Sequence, residues 1–314
     1  MAKYNSLTHY LEYLSHILHK PSIWTQLLFL MILALIIVSL LKNNDVEGFV
    51  ESDTDFEHKS GPELYDDFYA DIYDILLYSY IKNDFEIGAI RNVNPLTEES
   101  NILDIGSATG HHVDMLVKEG YNAIGLDSSS AMVEKAKENY PNNEYIQGDI
   151  MNSLLFQPES FTQILCLYFT LYYVKDKALF FNNCYNWLVP GGSLIVHLVD
   201  PHMFDPIIPP SNPLLMLTPQ RYAEDRITQS KVTFEDFKYI SNFEYDGTNT
   251  KFIERFQDKD SGKTFRKNEH TLYMESEEEI LALAQTCGFI IQGKLDMIKA
   301  GYEYQYLYIL EKPE

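Results

Sequence analysis

The chain has 314 residues, 46% of them hydrophobic, and carries 46 acidic against 24 basic side chains for a formal charge of −22. That length and apolar content support one large domain, or one domain with an elaborated cap. So acidic a surface repels phosphate backbones and argues against a nucleic-acid partner.

Residues 1–22 are polar. From Ile23 to Leu41 no residue is charged, and between Leu27 and Leu41 only Ser39 is polar. As a helix this run would reach about 28 Å, close to the thickness of a bilayer's hydrocarbon core. A buried helix of a globular domain fits less well, because the run is apolar on every face. A cleaved leader also fits less well, since its lead-in is long and no A-x-A-like site follows. The run therefore reads as one transmembrane helix over 23–41, making the protein single-pass and membrane-bound. Lys3 and Lys20 before it, and Lys42 and Lys59 after it, leave orientation open on charge alone. The absence of any N-x-S/T acceptor leans toward a cytoplasmic domain. Residues 42–62 are acidic and broken by glycine and proline, and read as a flexible linker.

From residue 63 a single domain is expected to run to the end. Leu64, Tyr65, Phe68, Tyr69, Ile72, Tyr73, Leu76 and Leu77 recur at helical spacing. Strands and helices then alternate: Ile102–Ile105, His111–Lys118, Ala123–Leu126, a helix over about 130–139, Tyr145–Gln147, Phe161–Tyr168, Lys177–Leu188 and Ser193–Val199. This order predicts an α/β fold, a doubly wound, mostly parallel seven-stranded sheet. A run of six prolines between Pro201 and Pro219 interrupts it. Three β-rich runs follow, Lys231–Tyr245, Thr250–Gln257 and Lys263–Met274, the first two joined by Asp246-Gly247. They read as an antiparallel meander inserted as a cap over about 201–274. Ser276 with Glu279 opens a last helix that ends near Gly288, and two closing strands complete the sheet.

The turn "DIGSATG", Asp104 to Gly110, joins the first strand to its helix. Gly106 allows a tight turn, and Gly110 lets the helix begin close to a ligand whose anionic group its N–H groups can receive. A dinucleotide turn would need glycines at 106, 108 and 111, where the chain has Gly106, Ala108 and His111. No triphosphate-binding loop is present either, so NAD and ATP are both disfavoured. Asp127 ends the second strand and suits the hydroxyls of a ribose, or serves as a helix cap. Gly148-Asp149-Ile150 follows the third strand and suits an adenine edge, or is a simple turn.

With these motifs in hand, the stretch from about residue 63 to 200 resembles the class I S-adenosylmethionine-dependent methyltransferases. "LDIGSATG" resembles their first motif, "GLD" their ribose-binding strand end, "GDI" their adenine contact and "WLVPGG" the turn before their fifth strand. The resemblance implies a Rossmann-like methyltransferase fold with S-adenosyl-L-methionine as cofactor. It implies Asp104, Gly106 and Gly110 around the methionine half, Asp127 at the ribose, and Asp149 with Ile150 at the adenine. It also implies a contact from Leu167 or Tyr168 and a closing tyrosine, for which Tyr73, followed by Asp74, fits and Tyr65 or Tyr69 are alternatives. Ala108 departs from the glycine that many members carry there.

Such chemistry needs no dedicated catalytic residue unless the acceptor must lose a proton. Candidates for that role are His197, Asp200, Glu269 and His270, each of which also reads as an ordinary strand or core residue. His111-His112 reads as solvated or capping. Cys166, Cys184 and Cys287 have no metal-ligand spacing and read as reduced thiols; no metal is expected. "LYFTLYYV" lacks the N/D-P-P-Y/F motif of base-modifying members, a second argument against nucleic acid. The cap resembles that of small-molecule methyltransferases. The leading expectation is thus a membrane-anchored methyltransferase acting on a nitrogen or oxygen of a small molecule. The alternatives are a lipid head group or membrane protein as acceptor, or a non-catalytic adaptor.

Overall fold

The computed structural model describes Leu28 and residues 30–33, 56–93, 96–211, 220, 223–247 and 250–314. The chain divides into two units, Met1–Thr54 and Asp55–Glu314. In the first, Leu28, Leu30, Met31, Ile32 and Leu33 are helical and exposed. The expected single-pass membrane localisation is corrected here. A span needs about 20 apolar residues to match the hydrocarbon core, and no helix among the described residues is long and apolar enough to cross a membrane. The rest of the 23–41 run lies outside the described residues.

In the second unit the apolar strands stack into a mixed sheet. Its members are β2 (Asn101–Ile105), β3 (Asn122–Asp127), β4 (Glu144–Gln147), β5 (Phe161–Cys166), β6 (Leu188–Val199), β11 (Ile290–Asp296) and β12 (Gln305–Glu311). Their order is β11-β12-β6-β5-β2-β3-β4. Pairings from β6 through β4 are parallel, and β12 runs antiparallel to both its neighbours. Residues 192–199 of β6 are all buried, without alternation, as a central strand covered on both faces must be. Helices α3 (His111–Lys118), α4 (Ser130–Asn139), α5 (Lys177–Trp187) and α6 (Glu277–Thr286) supply the connections. Trp187, Phe180, Phe181 and Cys184 are fully buried in the main core with β5 and β6.

Three features differ from the sequence-based expectation. The helical spacing read over Leu64–Leu77 is α1 (Asp67–Leu77), and after the extended Tyr78 a second helix follows that was not expected, α2 (Tyr80–Val93). The meander has four strands, β7 (Gln229–Thr233), β8 (Phe237–Glu244), β9 (Thr250–Asp258) and β10 (Thr264–Leu272). Its first run breaks where Phe234 N–H closes a tight turn onto Phe237 O at 2.8 Å. The end of the expected 42–62 linker is also structured: β1 (Glu57–Ser60) pairs in parallel with β10 and makes the second sheet β1-β10-β9-β8-β7.

Arg266 explains why that segment is held. Its guanidinium is 1% exposed and donates to Asp66 Oδ2 at 2.8 Å, Leu64 O at 2.9 Å and Asn268 Oδ1 at 2.8 Å. It also lies 4.8 Å over the Phe68 ring. The planar fork therefore fastens the start of α1 to the cap sheet in a way a single ammonium does not match.

Candidate functional site

The glycine turn lies where β2 ends, at the carboxyl edge of the parallel strands, the usual ligand crevice of such sheets. Gly106 N and Ser107 N donate to Leu126 O at 2.7 and 3.1 Å, and Ala108 N donates to Asp127 Oδ2 at 3.0 Å. Gly106 has φ +71°, and a Cβ there would stand 2.5 Å from Thr170 Oγ1. Gly110 has φ +91°, and its Cβ would stand 2.5 Å from the Tyr145 hydroxyl. Ala108 takes φ +45° in spite of its side chain, and Tyr168, past the end of β5, takes φ +51°. Strained backbone of this kind gathers at sites where geometry is over-determined.

Asp104 is 2% exposed, and its Oδ2 has no hydrogen-bond partner. Burial pushes its carboxyl up to about 6, with Glu86 and Asp127 adding to the rise and His112 and Lys82 opposing it. The Ser107 hydroxyl beside it is also buried without a partner. An unpaired carboxylate oxygen and hydroxyl inside a glycine turn suit an incoming ammonium, so these residues fit the amino-acid end of S-adenosylmethionine. Asp127 accepts from Ala108 N and from Ser129 N at 2.9 Å, and remains half-buried at the cleft; burial raises its carboxyl. Asp149 is exposed in the turn after β4, its Oδ1 accepting from Met151 N at 2.9 Å. Ile150 is half-buried, and its carbonyl accepts from Asn183. The Leu167 side chain is buried in a core cluster, whereas Tyr168 beside it is half-exposed.

Tyr73 is half-buried, and the charges that raise its phenol after burial itself belong to Tyr173, Asp127, Asp74 and Asp104. Asp74 turns to a different task, accepting from Thr109 Oγ1 at 2.6 Å and pairing with His111 Nε2 at 2.9 Å, which ties α1 to the start of α3. Behind Asp104, His112 and Lys82 both meet Glu86 at 2.8 Å. Burial would raise the Glu86 carboxyl, but the Lys82 charge and the hydrogen bond from His112 more than offset it and hold it down to about 2.

The four candidate bases separate. His197 is fully buried, bonds Tyr168 O through Nδ1, and burial lowers it to about 4. Asp200 caps a turn, accepting from His202 N at 2.9 Å. Glu269 faces the other side of β10 and pairs with Lys251 at 2.6 Å. His270 joins a buried polar network between the cap sheet, α1 and the turn after β5. Its Nε2 meets Glu254 Oε2 at 2.8 Å and its Nδ1 meets the Tyr173 hydroxyl at 2.7 Å. Glu254, 1% exposed, also accepts from Tyr69 and Tyr239 hydroxyls at 3.0 and 2.7 Å and from Asn268 Nδ2 at 3.1 Å. Sequence reasoning missed Glu254 and Tyr173. The signal was there: Glu254 interrupts the inward apolar register of Phe252 and Phe256 on β9.

With this geometry in place, comparison with known proteins is informative. Residues 103–196 match the family model for a methyltransferase domain. The dTDP-4-amino-2,3,4,6-tetradeoxy-D-glucose N,N-dimethyltransferase of Saccharopolyspora spinosa is 32% identical over 152 residues, 46% of this chain and 59% of that one. The trans-aconitate 2-methyltransferase of Paracidovorax citrulli is 29% identical over 108 residues, 34% and 41% of the two chains. The alignments thus span less than two thirds of either relative. The S-adenosylmethionine-bound amino pentose methyltransferase CalS10 of Micromonospora echinaspora superposes with a TM-score of 0.57 at 18% identity, covering 78% of this chain and 96% of that one. That last likeness is one of fold. Residues 103–196 are thus similar to a methyltransferase domain, and the fold is one that S-adenosylmethionine-dependent methyltransferases share.

Proposed function

We propose that the protein transfers a methyl group from S-adenosylmethionine to a nitrogen or oxygen of a small molecule held under the five-stranded cap. The observation that carries this reading is the unpaired Asp104 carboxylate in its glycine turn at the carboxyl edge of the parallel strands. When bound, the cofactor supplies a sulfonium-activated methyl group. Asp104, Gly106 and Gly110 would hold its amino-acid end, Asp127 its ribose, and Asp149 with Ile150 its adenine. Tyr73 would close over it, and the backbone around Leu167 and Tyr168 would border the methionyl part. The cap excludes water and orients the acceptor against the reacting carbon.

The named relatives include an amino-sugar N-methyltransferase and a trans-aconitate methyltransferase, so both an amine and a carboxylate acceptor have precedent in similar domains. An amine agrees better with a cleft lined by phenols and acidic residues. The test is incubation of the full chain with methyl-labelled S-adenosylmethionine and a panel of small amines, amino-sugar nucleotides and carboxylic acids. Label in a small product supports the reading. Tight cofactor binding with label only in macromolecular fractions would refute the small-molecule acceptor.

A further inference from the structure

Resting on that reading, we infer that Tyr173 takes the proton from the acceptor, that His270 and Glu254 pass it on and hold it, and that the acceptor is an amine arriving as an ammonium.

The direction of each hydrogen bond follows from Glu254. Four donors converge on its two oxygens: the Tyr69 and Tyr239 hydroxyls on Oε1, and Asn268 Nδ2 and His270 Nε2 on Oε2. A carboxyl so surrounded is an ionised acceptor. Burial would raise it, but His270 and the bonds from His270, Tyr239 and Asn268 more than offset that and leave it below its ordinary value. The proton on the ring must then sit on Nε2, which leaves Nδ1 to accept from Tyr173 O–H. A buried carboxylate thus orients an imidazole whose free lone pair faces a phenol.

Tyr173 is the member that reaches the cleft. Glu254 is 1% and His270 2% exposed, so neither touches an acceptor, whereas Tyr173 is 37% exposed although burial raises its phenol. Its short helical turn, Thr170–Tyr173, begins at the residue whose side chain fills the space above Gly106. Tyr173 also bears electrostatically on Tyr73, together with Asp104 and Asp127. Tyr65 shares a hydrogen bond with the Tyr173 oxygen. The titratable groups facing His270 are Glu254 from β9, Tyr173 from the turn after β5, and Tyr65 and Tyr69 from the chain around the start of α1; Tyr239 of β8 acts through Glu254. None is a cation, so a proton arriving on the ring meets only acceptors and phenols.

In the step itself the ammonium proton moves to Tyr173 Oη as the phenol's own proton moves to His270 Nδ1, giving an imidazolium paired with Glu254. The freed nitrogen lone pair forms the new C–N bond while the methyl–sulfur bond breaks and its electron pair stays on sulfur. Tyr173 is the catalytic residue of this scheme; His270 and Glu254 are positioning residues.

The test uses two ligands bound by the full chain between pH 5 and 8. One is sinefungin, in which an amine-bearing carbon replaces the sulfonium; the other is S-adenosylhomocysteine, which lacks both methyl and amine. The ratio of their affinities isolates the amine and cancels effects common to both, such as titration of Asp104. The expected ratio favours sinefungin by about tenfold more at pH 8 than at pH 5. His270→Asn should flatten that profile. Tyr173→Phe should lower the ratio at pH 8 by about five- to tenfold while leaving S-adenosylhomocysteine affinity unchanged. A flat ratio in the unmodified protein overturns the inference even if the variants fail to fold. So do variants that weaken both ligands equally, since that marks a structural role. Failure of both ligands to bind the folded unmodified protein is distinct, for it overturns the methyltransferase reading itself.

Discussion

Asp104 is held where its charge is costly. Its carboxyl titrates near 6 in the folded chain against 3.8 ordinarily, chiefly because it is buried. Between those values the folded state binds more protons than the unfolded one, so stability falls as pH rises through the window. At about 1.4 kcal/mol per pH unit the penalty approaches ~3 kcal/mol above pH 6. Asp104→Asn should therefore raise the free energy of urea unfolding by about 1–3 kcal/mol at pH 7.5 and have little effect at pH 4, while weakening cofactor binding. An equal gain at both pH values would contradict this account. Gly110 makes the opposite point. Its φ of +91° and the Tyr145 hydroxyl 2.5 Å from a would-be Cβ make Gly110→Ala destabilising, by about 2–3 kcal/mol in the same assay. Asp104, Gly106, Gly110 and Asp127 could be singled out as candidates from the sequence because turn chemistry is local. Tyr173 and Glu254 were not singled out because their roles depend on contacts between residues 97 positions apart, Tyr173 with His270, and 16 apart, Glu254 with His270.

At the scale of elements, the alternation of strands and helices predicted the seven-stranded sheet, since parallel strands need helical crossovers and leave long apolar runs. The errors fall where no such rule applies. The break at Tyr78 does not interrupt the helical spacing of apolar residues. The strand Glu57–Ser60 is polar and exposed, and takes its conformation from pairing with β10 rather than from its own propensity. Arg266 is the clamp that makes this pairing persist. Arg266→Lys should cost about 2–4 kcal/mol, because Asp66 and Leu64 O lose a buried fork that lysine does not reproduce. Hydrogen exchange across residues 57–66 should accelerate in that variant while exchange in β5 and β6 stays slow. Uniform acceleration across both sheets would show that Arg266 serves the whole domain instead.

On the scale of the molecule, the acidic surface and the glycine turn suit the cationic cofactor of the proposed reaction. In the proposed reaction the negative charge of Asp104 and Asp127 at the carboxyl edge of the sheet attracts the sulfonium. The expectation of a membrane span came from apolar run length alone, and no described helix supports it. The claim on which everything else depends is that the turn at Asp104–Gly110 holds S-adenosylmethionine with Asp127 on its ribose. Calorimetric titration of S-adenosylmethionine and, separately, NAD into the full chain and its Asp127→Ala variant tests it most directly. The account predicts micromolar binding of S-adenosylmethionine, at least tenfold weaker in the variant, and no binding of NAD. Folded protein that binds NAD, or that binds S-adenosylmethionine equally well without Asp127, would contradict it.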